Sequence, residues 1–184
     1  MGNIFIPKGI ILYHMGQKCN YLKVLEVFFV EPTTTHFIKE ISRKIKLAPT
    51  SVRNYIRELH AKKLIKRKES KPFSGFVANR ESDEFIFYKR VYNLYSLKEL
   101  TDFLIENLWP KLIVVFGSYS RGEDVEDSDI DILIVSKVKK EIDLEKFEKK
   151  LKRKINLLVV DKLENLDERI VKKVYNGIVL YGGF

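Results

Sequence analysis

Two apolar runs, at 111–116 and 130–135, enclose a short polar segment that opens on Gly117-Ser118 and closes on Ser128-Asp129-Ile130-Asp131. No other stretch of the chain narrows its fold as much. The runs are the length of buried strands. A third follows at 155–160 and a short fourth at 178–181, with amphipathic helical patterns at 143–153 and 166–176 between them. Strands alternating with helices predict an α/β layer. Within the block each residue type has a chemical use. Gly117 lets the backbone come close to a phosphate, and Ser118 can hydrogen-bond phosphate oxygens at a helix start. Asp129 and Asp131 lie two apart on a strand, so both side chains face one way. Two such carboxylates are hard oxygen donors that suit Mg²⁺ bound to a triphosphate. The competing reading is a glycine turn with a solvated acidic loop, and that reading fits Glu123, Asp124, Glu126 and Asp127. Arg121 either holds phosphate or pairs with a loop carboxylate.

The segment Val114-Val115-Phe116-Gly117-Ser118-Tyr119-Ser120-Arg121-Gly122, followed by Ser128-Asp129-Ile130-Asp131-Ile132-Leu133-Ile134-Val135, resembles the minimal nucleotidyltransferases of the DNA polymerase beta superfamily. The resemblance spans about residues 97–183 and includes the tail at 165–170 and 176–182. It implies transfer of a nucleoside monophosphate, typically AMP from ATP, with release of pyrophosphate. It assigns Asp129 and Asp131 as catalytic and metal-binding residues and Gly117, Ser118 and Arg121 as nucleotide-binding residues. Mg²⁺ would be the cofactor, and ATP or another NTP the ligand or substrate. Family members bring a third carboxylate from the following strand, where this sequence has Asn156. An amide can ligate a metal through its carbonyl but cannot accept a proton, and Asp161 at the strand's far end is a poor substitute. The expectation is Mg–NTP binding with weak or absent transfer.

The net charge of +9 is unevenly placed: residues 33–80 hold 13 Lys and Arg against 3 Asp and Glu. A localised surplus is the footprint of a phosphate-backbone binder. The same region predicts helices at 20–30, with Asn20 as N-cap, at 36–45, and from Pro49 through Leu59. Strands at 64–69 and 76–80 flank a turn at 71–75. Val52, Ile56 and Leu59 share the inner face of the third helix. Thr50, Ser51, Arg53, Asn54 and Arg57 are offered outward, where Arg and Asn can read base edges. Arg67, Lys68 and Lys71 can reach phosphates from the hairpin. The stretch from Leu47 to Leu59, followed by Lys63-Leu64-Ile65-Lys66-Arg67, resembles winged-helix transcription regulators. That implies a helix-turn-helix with a wing bound to double-stranded DNA. A trihelical domain used for protein contact is the competing reading.

The fold expected is therefore α+β. An N-terminal winged helix-turn-helix with an N-terminal arm (1–82) is joined by a helical linker (83–110) to a small mixed-sheet nucleotidyltransferase-like domain (111–184). Tyr88, Tyr92 and Tyr95 in the linker either form a homodimer contact, the expected arrangement, or pack inside one chain. No segment reaches the roughly 18 apolar residues of a membrane span. The single cysteine, Cys19, excludes an internal disulfide and fits a cytoplasmic setting. The function expected is a DNA-binding transcriptional regulator that binds nucleotide. The alternative is an active enzyme that transfers AMP to a protein or RNA acceptor. By family analogy this would be an antitoxin-type partner of a helical toxin.

Overall fold

The computed structural model describes residues 19–69 and 73–183. Lys71 and the N-terminal arm, both singled out above, lie outside the described residues. The chain divides into two compact units, Met1–Asn79 and Arg80–Phe184.

In the first unit, α1 (Asn20–Val30), α2 (Ile38–Ile45) and α3 (Pro49–Ala61) precede a hairpin of β1 (Ile65–Lys68) and β2 (Gly75–Ala78). Each helix contributes one apolar stripe. Val24, Leu25 and Phe28 meet Ile41, Val52, Ile56 and Leu59, and Leu64, Ile65 and Ala78 close the core from the hairpin. Pro49 stands at the first position of α3, where its missing N–H costs nothing. Lys46, in the left-handed region at φ 54°, turns the chain between α2 and α3. Two expectations are corrected. The N-cap of α1 is Cys19, not Asn20, which is the helix's first residue. His36 is not helical, because its backbone pairs with Phe76 in both directions (2.8 and 2.9 Å), so α2 begins only at Ile38.

The second unit starts with α4 (Asp83–Ser96), which Ser82 caps by accepting from the Phe85 N–H. It continues through α5 (Lys98–Leu108), β3 (Leu112–Phe116), α6 (Gly117–Arg121), β4 (Ile130–Val135), α7 (Glu145–Leu151), β5 (Ile155–Val160), α8 (Glu168–Tyr175) and β6 (Ile178–Gly182). The sheet runs β5-β4-β3-β6, with β4 and β5 parallel and the other pairs antiparallel. Alternation along the strands separates two cores. Ile113, Val115, Ile130, Ile132 and Ile134 pack with Leu97, Leu100, Leu104 and Leu108 of the α5 region and with Phe147 of α7. Leu112, Val114, Phe116, Leu133 and Val135 pack with Val174 of α8.

The segment expected as a linker is thus a layer of this unit. Leucines at 97, 100, 104 and 108 recur at helical spacing and are all buried, which a solvent-exposed connector would not allow. The aromatic stripe divides between the two arrangements. Tyr88 is buried and donates to Glu84, and Tyr92 is half-buried; only Tyr95 is mostly exposed. No helix among the described residues is long and apolar enough to cross a membrane.

Candidate functional site

Strand pairing builds the site. Phe116 on β3, Asp131 on β4 and Asn156 on β5 are register partners across three adjacent strands. Asp129 lies one step of the alternation before Asp131 and shares its face. The two carboxylates converge on one amide. Asn156 donates from Nδ2 to Asp129 Oδ2 and to Asp131 Oδ1, both at 3.2 Å. Asp131 is half-buried, while Asp129 and Asn156 are open to solvent.

Gly117 completes this wall. Its φ is +76°, and a β-carbon on it would lie 2.6 Å from Asp131 Oδ2. Only glycine supplies both that backbone angle and that clearance. Ser118 follows, half-buried at the head of α6, and Ser120 fixes the turn by donating to the Gly117 carbonyl (2.9 Å). The structure therefore brings Gly117, Ser118, Asp129 and Asp131 to one end of the sheet with Asn156. Arg121 is half-exposed at the end of α6 and pairs with Glu123 at 2.7 Å, one of its two expected partners.

Asp124 departs from expectation. It is 1% exposed, not part of a solvated loop. Its Oδ2 accepts from Lys89 Nζ at 2.9 Å and from Arg153 at 3.5 Å, and its Oδ1 accepts from Asn93 Nδ2 at 2.8 Å. Asn93 also donates to the Tyr119 carbonyl of α6 at 2.9 Å. The Tyr119 phenol shares a hydrogen bond with Ser96, and burial pushes its pKa up to about 12. Burial draws the Lys89 ammonium below its usual value, against the pull of Asp124. Sequence reasoning missed all of these residues. The available signal was in α4, where Lys89 and Asn93 fall on the same stripe as Phe85 and Tyr88.

Residues 97–181 match the family model of the nucleotidyltransferase domain. The chain carries a nucleotidyltransferase domain. No curated protein and no solved structure matches the chain. The match to the nucleotidyltransferase domain begins after α4, although α4 belongs to the same compact unit. Among the described residues no group of three or more His, Cys, Asp or Glu gathers around a potential metal position. In the nucleotidyltransferase domain Asn156 leaves Asp129 and Asp131 as a pair.

On the first unit, Thr50, Arg53, Asn54 and Arg57 are exposed along α3, with Ser51 half-buried beside them. Arg67 and Lys68 are exposed on β1, and Arg67 donates to Ser74 across the hairpin at 3.2 Å.

Proposed function

We propose that the protein is a DNA-binding regulator whose nucleotidyltransferase domain binds Mg–NTP and transfers slowly or not at all. The observation that carries this reading is Asn156, held between Asp129 and Asp131 where a third carboxylate is expected. The residues fit a divalent ion. Two hard oxygen donors converge, the glycine wall keeps the space beside Asp131 clear, and the Asn156 amide has an oxygen end as well as the nitrogen end it now presents. Asp129 and Asp131 would hold Mg²⁺, which when bound supplies the positive charge that offsets a triphosphate. Gly117 and Ser118 would receive phosphate oxygens, with Arg121 available if it leaves Glu123. Asn156 cannot accept a proton from an attacking hydroxyl, and general-base help of that kind is worth about 10²–10⁴-fold.

The regulator half rests on three helices and a hairpin with a basic outer face. The pairing of His36 with Phe76 adds a short third extended segment to the hairpin. That arrangement fits a winged helix, with α3 in the major groove and Arg67 and Lys68 near phosphates. The test is to incubate the protein with labelled ATP and Mg²⁺, with and without duplex DNA. Calorimetry reads nucleotide binding, pyrophosphate release reads transfer, and mobility shift reads DNA binding. Rapid pyrophosphate release by the unaltered protein would replace this reading with that of an active transferase. Absence of both nucleotide and DNA binding would end it.

A further inference from the structure

The side-chain cluster around Asp124 ties together the segments that carry the site. Asp124 lies five residues before Asp129, in the loop that delivers β4. Arg153 lies three residues before Asn156, where β5 begins. Asn93 holds both Asp124 and the backbone of α6, the helix that starts at Gly117-Ser118. Lys89 and Asn93 both come from α4, so one helix grips the loop and the start of β5 through a single carboxylate and α6 directly through Asn93. A second observation concerns the same contact. A β-carbon on Gly122, at φ +72°, would lie 2.7 Å from the Ile86 carbonyl and 2.9 Å from the Arg90 nitrogen. The end of α6 therefore rests directly on the α4 backbone. Burying two cations and a carboxylate is costly, and apolar packing of similar volume commonly supports a fold as well. What such a cluster adds is a fixed geometry.

We propose that Asp124 is a positioning residue for the nucleotide site, and that α4, which precedes the matched domain, is through it a working part of that site. The proposal deepens the nucleotide reading above and rests on it. Asp124 holds the loop to Asp129 and the start of β5 in one register, so that Asp129, Asp131 and Asn156 stay converged before any ligand arrives. Without the grip of α4 the loop at 122–128 would sample other paths. Binding would then include the cost of selecting the competent one.

Removing Asp124 itself takes the shared carboxylate from two buried cations and risks the fold, so the informative variant is Lys89→Met. It leaves Arg153 paired with Asp124 and cuts the charged link to α4. Leu104→Ala is the control, since it weakens the core of the same unit without touching the cluster. Amide hydrogen exchange and calorimetry with Mg–ATP are read on full-length proteins at a temperature where circular dichroism shows all three folded. Lys89→Met is expected to speed exchange at 118–131 and 155–157 and to weaken Mg–ATP at least tenfold. Leu104→Ala is expected to lower the melting temperature and to speed exchange across the core it shares with Ile130 and Ile155, with no excess in the loop at 122–128, while leaving Mg–ATP affinity within twofold. Unchanged exchange or unchanged affinity in folded Lys89→Met overturns the proposal, as do equal effects in the control. If the unaltered protein binds no NTP, the nucleotide reading fails, and the positioning role is decided by the exchange comparison alone.

Discussion

Exchanging Asn156 for aspartate separates binding from transfer at one atom. Asn156→Asp brings a third carboxylate beside the pair at the position where Nδ2 now donates to both. In the absence of metal the three charges repel, so stability should fall, by no more than about 1 kcal/mol because the position is open to solvent. With Mg²⁺ and ATP present, pyrophosphate release should rise at least tenfold; an unchanged rate would show that the missing proton acceptor is not the limit. Tyr119 offers a pH-dependent readout. Its phenol ionises near 12 in the folded chain against 10.0 ordinarily. Between those values only the unfolded chain releases the proton, so stability falls as pH rises, by about 1.4 kcal/mol per unit, and below that window the group adds no slope. Urea titrations from pH 9 to 11 should show a shallower decline in Tyr119→Phe than in the unaltered chain. The pairing of Asp129 with Asp131 was legible in the sequence because strand parity alone puts them together. Asp124 was not, because Glu123-Asp124-Val125-Glu126-Asp127 has the composition of a solvated loop. Nothing local marks the one carboxylate whose counter-charges come from residues 89 and 153.

At the scale of elements, α4 is the part that sequence periodicity misplaced. The helix itself was expected, and so were the strands that follow, because apolar runs between turn residues are a local property. Its role as a layer was not, since the buried stripe of α4 includes Lys89 and Asn93, and polar residues read as surface. The apolar stripe of α5 is the clearer signal, and the resemblance from about residue 97 already included that helix. A fragment spanning 80–184 should unfold cooperatively by circular dichroism. One spanning 97–184 retains the whole of the matched span but leaves Asp124 and Arg153 without Lys89 and Asn93. It should lose the cooperative transition. A sharp melt from the shorter fragment would show that α4 is dispensable to the fold.

For the whole molecule, charge follows the division into units. Residues 1–79 carry 15 Lys and Arg against 5 Asp and Glu, and residues 80–184 carry 19 against 20. On the proposed reading the attraction for a duplex comes from the first unit, and affinity should then fall linearly with the logarithm of salt concentration. Arg53→Ala and Arg57→Ala should each cost about 1–3 kcal/mol if they contact bases, and Lys68→Ala should mainly reduce the salt slope. Fluorescence anisotropy at several salt concentrations distinguishes these outcomes, and salt-independent affinity would remove the duplex reading. The four-stranded sheet has one further consequence. Among the described residues β5 and β6 are the edge strands of the four-stranded sheet, and an unpaired edge is a template for another chain. Here β5 is approached through Lys152 and Lys154, and the pairing of β6 slips opposite Ile113 and Val114 before the strand stops at Gly182. Charge on one border and irregular register on the other deny an incoming strand a flat ladder. The expectation is a sheet that resists growth by addition of its own copies.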